Sequence, residues 1–82
     1  VKVRHDWRQP EALAVDSIGN VYVLDREAKT VDVFGPDGAA LHSVGPVLGD
    51  GTELRRPRDL AVDGSGRLYI VDGDPAAVLI LE

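Results

Sequence analysis

The chain repeats itself at an offset of 47 residues. Pro10-Glu11-Ala12-Leu13-Ala14-Val15-Asp16 returns as Pro57-Arg58-Asp59-Leu60-Ala61-Val62-Asp63. Gly19-Asn20-Val21-Tyr22-Val23-Leu24-Asp25 returns as Gly66-Arg67-Leu68-Tyr69-Ile70-Val71-Asp72. Between 10–34 and 57–81 the register needs no gap, and nine positions are identical. A repeat of this length is one supersecondary unit that cannot bury its apolar faces alone, so neighbouring copies must stack.

Within each copy, short β-forming runs alternate with turns. Ala12–Val15 is apolar, and Asp16–Asn20 is a turn in which Gly19 can take a positive φ. Val21–Leu24 is an unbroken run of β-formers, as expected of a strand covered on both faces. Arg26–Thr30 is polar and turn-like, and Val31–Phe34 alternates apolar with polar. Gly35-Pro36-Asp37-Gly38 reads as a hairpin turn, followed by a fourth strand over Ala39–Val44. Gly45–Arg56 is a loop whose Leu48 and Leu54 can tuck inward. The second copy predicts strands at Asp59–Val62, Leu68–Val71 and Val78–Leu81. Glycine or proline interrupts every window in which a 3.6-residue period could run, so the chain is predicted to be all-β.

Four short strands per unit, repeated at roughly 40–50 residues, is the pattern of a β-propeller blade. The expectation is therefore four-stranded antiparallel sheets, two blades per chain, forming part of a six-bladed ring. Val1–His5 alternates apolar with polar and is predicted as a further strand. Residues 1–8 are thus assigned to an outer closing strand and 9–47 to the first blade. Residues 48–56 are the inter-blade loop, and 57–82 are the first three strands of the second blade.

Composition narrows the function classes. The 82 residues suit one small domain, and 44% hydrophobic with 28% charged residues is a globular balance. The apolar runs are too short for a transmembrane helix. No basic segment followed by an apolar stretch opens the chain, so no signal peptide is predicted. Cysteine is absent, which removes disulfide scaffolds, Cys-zinc sites and thiol catalysis. A net charge of −5 disfavours a nucleic-acid backbone as partner.

The quoted motifs resemble NHL repeats. The first copy carries Pro10, Leu13-Ala14-Val15-Asp16, Gly19-Asn20-Val21-Tyr22-Val23-Leu24-Asp25, Val31-Asp32-Val33-Phe34 and Asp37-Gly38. The second carries Pro57, Leu60-Ala61-Val62-Asp63, Gly66, Leu68-Tyr69-Ile70-Val71-Asp72 and Val78-Leu79-Ile80-Leu81. The resemblance covers residues 8–82. It departs where the family has Gly before Leu-Ala-Val-Asp, because Ala12 and Asp59 stand there. The resemblance implies a propeller that acts as a non-catalytic interaction scaffold. Its partners would be further copies, most simply a trimer, the remaining blades of a longer chain, or another protein. The family also includes metal-dependent lyase- or lactonase-like enzymes, which gather ligands from several blades, and RNA-binding propellers. These are the alternatives.

The residues of types that carry chemistry have simpler readings. Asp16, Asp25, Asp63 and Asp72 recur at equivalent positions, which suits structural turn carboxylates better than catalysis. His5 and His42 lack the spacing of a metal or acid–base motif. Asp72-Gly73-Asp74 opens like a calcium loop, but Pro75-Ala76-Ala77 supplies no further side-chain oxygens. Trp7, Arg8, Arg55, Arg56 and Arg58 are the residues best placed for an interaction surface, Trp7 as an interface aromatic and the arginines as a basic patch. Tyr22 and Tyr69 read as core residues whose hydroxyls need partners. No catalytic, cofactor-binding or metal-ligating set is predicted.

Overall fold

The computed structural model describes residues 2–73 and 75–81. Among them are seven strands, β1 (Pro10–Val15), β2 (Val21–Asp25), β3 (Thr30–Phe34), β4 (Ala40–Val44), β5 (Pro57–Val62), β6 (Leu68–Gly73) and β7 (Ala76–Leu81). They form two antiparallel meanders, β1-β2-β3-β4 and β5-β6-β7. The fold is all-β, with two open sheets. The seven strands predicted between Ala12 and Leu81 each appear within about two residues of their expected places.

The two sheets are built by the same local rules. Both first strands open on proline, which has no N–H to give a ladder and is tolerated at a strand's first residue. The register then slips between Pro10 and Ala12, and again between Pro57 and Asp59. In both β1–β2 and β5–β6 turns a glycine, Gly19 or Gly66, takes a positive φ of 92° or 87°. That left-handed conformation costs an L-residue energy that glycine avoids.

The sheets meet through their first strands, with β1 and part of β2 packed against β5. Leu24 and Val31 of the first sheet join Leu60, Leu68 and Ile70 of the second in one buried cluster. Leu54, from the connection between sheets, is 2% exposed and closes this cluster. That connection carries an isolated bridge, Val47 to Glu53.

The N-terminal segment, expected to supply an outer closing strand, takes a different form in the single chain. Residues 2–9 hold no strand, and Val1 lies outside the described residues. The reason is side-chain docking. The rings of His5 and Trp7 lie 5.8 and 5.5 Å from that of Phe34, both near edge-to-face. These contacts pin the segment across the first sheet instead of along a strand edge.

Candidate functional site

The recurring aspartates act on the backbone. Asp25 is buried at the end of β2. Its carboxylate accepts N–H bonds from Arg8 and Gln9 at 2.8 and 3.2 Å, and from Glu27 and Ala28 at 3.1 and 3.0 Å. It thereby ties the segment before β1 to the turn after β2. Asp72 repeats the device, accepting from Arg55 at 3.1 Å and Arg56 at 2.6 Å. Pro75, at the position equivalent to Ala28, has no N–H to donate, and the Gly73 N–H donates at 3.0 Å. Burial opposes ionisation of both carboxyls, but the converging N–H donors outweigh it and hold each below its ordinary pKa.

Asp16 and Asp63 clasp the other end of each sheet. Asp16 accepts from the Ile18 and Asn20 N–H groups at 3.1 and 2.9 Å and from the Tyr22 hydroxyl at 3.1 Å. Asp63 accepts from the N–H groups of Ser65 and Arg67, both at 2.9 Å, and from the Tyr69 hydroxyl at 2.8 Å. Donation by the Ser65 and Tyr69 hydroxyls holds the Asp63 carboxyl far below the usual carboxylate range. Burial and the bond to Asp16 push the Tyr22 hydroxyl up.

One polar cluster breaks the repeat, and sequence reasoning missed it. Asp32 is 6% exposed and stands where the second copy has Leu79. It accepts from the Trp7 indole N–H at 3.0 Å and the Ser43 hydroxyl at 2.7 Å, with His5 Nε2 at 3.5 Å. The available signal was the exchange of an aspartate for a leucine between copies. Both histidines, His5 and His42, line a cavity of about 220 Å³ beside it. The three residue types are those of a nucleophilic triad, but the order is wrong. Asp32 sits in the middle, whereas activation of Ser43 needs an imidazole between hydroxyl and carboxylate.

The predicted basic patch is split. Arg56 and Arg58 line a cavity of about 340 Å³ that Arg26 completes. Arg26 also reaches Glu11 at 3.3 Å. Arg55 lines a separate cavity with Asp72 and Thr52. Arg8 lies 3.9 Å from Glu27. Trp7 is half-buried against the first sheet rather than part of this basic surface. Among the described residues, no three His, Cys, Asp or Glu side chains converge as metal ligands would. Asp74 of the calcium-like turn lies outside the described residues.

No protein-family model matches the chain, and comparison with curated proteins returns no significantly similar sequence.

Proposed function

We propose that the chain is a non-catalytic scaffold made of two NHL-like propeller blades, completed by further blades from a longer chain or from further copies. The observation that carries this reading is the apolar surface left on the strand faces. Leu13 and Val15 of β1 are 67% and 55% exposed, and Val78 and Ile80 of β7 are 60% and 59% exposed. Apolar faces of this kind mark association surfaces. They lie on the two outer sides of a stack that has already formed once, between the first and second sheets. The polar groups serve the frame: the four recurring aspartates bind backbone N–H groups, and Asp32 is taken up by Trp7 and Ser43.

Two copies joined in one polypeptide, through a flexible linker of roughly a dozen residues, test the reading. Stacked repeats gain a nearest-neighbour interface that a single unit lacks. The joined protein is therefore expected to unfold at a higher urea midpoint than the single chain. Equal midpoints, with each copy unfolding independently, would overturn the blade reading.

A further inference from the structure

We infer that the two outer sheet faces bind each other between chains, so that a second copy of this protein docks head to tail. This rests on the blade reading and specifies the partner and its orientation. Residues paired across antiparallel strands share a face, and alternate residues share it along a strand. In the first sheet, Ala12-Leu24-Val31 and Ala14-Tyr22-Val33 form one face, and Leu13-Val23-Asp32 and Val15-Val21-Phe34 form the other. In the second sheet, Leu60-Ile70-Leu79 and Val62-Leu68-Leu81 form one face, and Asp59-Val71-Val78 and Ala61-Tyr69-Ile80 form the other.

The core joins Leu24 and Val31 to Leu60, Ile70 and Leu68. The internal interface therefore pairs opposite faces of the two repeats, not the same face twice. At the 47-residue offset, the outer face of the second sheet corresponds to the buried face of the first. The outer face of the first corresponds to the buried face of the second. Exposure follows this exchange. Val78 is 60% exposed while its counterpart Val31 is 0% exposed, and Leu13 is 67% exposed while its counterpart Leu60 is 7% exposed. The chain thus displays both halves of the interface that it already makes once within itself.

Trp7 extends the correspondence. It occupies the position of Leu54, which shares the core cluster with Leu24 and Val31. It lies on the outer face of the first sheet, bonded to Asp32 and packed edge-to-face on Phe34. In the contact between copies, Trp7 of one chain covers Val71 and Val78 of the next, the counterparts of Leu24 and Val31. The contact is heterologous: a closing rotation gives a ring, and any other rotation gives a filament.

Leu13→Asp disables the first sheet's outer face, and Val78→Asp disables the second's. Both positions are exposed in the single chain, so amide NMR and circular dichroism are expected to show both variants folded. Val15→Lys and Ile80→Lys serve as replacements for a variant that does not fold. Light scattering at high-micromolar concentration should give the wild type at least twice the chain mass of 8.8 kDa. Each variant alone should have the mass of one chain. An equimolar mixture should form a dimer and nothing larger, because each variant keeps one intact half of the interface.

Self-association by one variant alone would show a symmetric contact and overturn the proposal. A folded wild-type monomer, or a mixture that stays monomeric, would do the same. A monomeric wild type alongside a stabilised two-copy polypeptide overturns the second-copy docking alone. A two-copy polypeptide with no gain in stability removes the blade reading beneath it.

Discussion

Asp25 shows how one residue organises three stretches of chain. Its two oxygens satisfy four backbone N–H groups, two before β1 and two in the turn after β2. Removing the carboxylate leaves those donors with no partner in a poorly hydrated site. Asp25→Ala is expected to destabilise the protein by about 3 kcal/mol, measured by urea unfolding. Asp72→Ala should destabilise by the same mechanism, because it strands the Arg55, Arg56 and Gly73 N–H donors. The same geometry sets a pH dependence. Asp16, Asp25, Asp63 and Asp72 all have carboxyls held below their ordinary value in the fold. Their contribution is complete above the unfolded carboxylate pKa of about 4 and is lost as pH falls through the lower folded values. The melting temperature is therefore expected to fall progressively below about pH 4, and Asp25→Asn should flatten that fall. A steeper acid dependence in Asp25→Asn would contradict this account.

At the scale of elements, the connection from β4 to β5 is the most tightly constrained turn. Gly45 has φ of 90°, and a Cβ placed there would lie 2.7 Å from the Lys29 carbonyl oxygen and 2.9 Å from Leu54 Cδ1. Gly49, four residues on in the same loop, has nothing within 4 Å of its Cβ position and no left-handed backbone. Gly45→Ala should therefore cost more than the ~1 kcal/mol of left-handed strain alone, whereas Gly49→Ala should be neutral or slightly stabilising. Unfolding midpoints of the two variants measure the contrast directly. The N-terminal segment is held differently, by side chains instead of a ladder. Trp7→Ala removes both the ring contact with Phe34 and the donor to Asp32. It should destabilise the first sheet by about 2 kcal/mol, read by circular dichroism during urea unfolding.

For the whole molecule, the junction of the two sheets governs cooperativity. An 82-residue chain buries only about 60% of its unfolded surface, so little reserve stability is expected. Leu54 reaches the junction from the connecting loop and is buried between the sheets. Leu54→Ala should cost about 3 kcal/mol by the cavity it leaves. It should also let the three-stranded sheet open before the four-stranded one, visible as faster amide exchange in β6 than in β2. Equal acceleration in both strands would mean that the sheets remain one cooperative unit without Leu54.

Local chemistry made the strands and turns legible in the sequence. Proline opens β1 and β5, Asp16 and Asp63 cap turns closed by Gly19 and Gly66, and the β-forming runs lie between them. All of these signals act within a few residues, and the 47-residue repeat doubles each one. The sequence could not say which sheet face would be buried. Val21–Leu24 is apolar on both sides, so its pattern is the same whichever side meets the second sheet. It also could not place Trp7 on Asp32, 25 residues away, or bring Arg26 to Arg56 and Arg58. Those choices depend on how two sheets and a connecting loop pack, and packing energy is set by neighbours distant in the chain. The repeat and its strands were determined by the sequence alone; which faces are covered, and which are left open, only the tertiary structure decided.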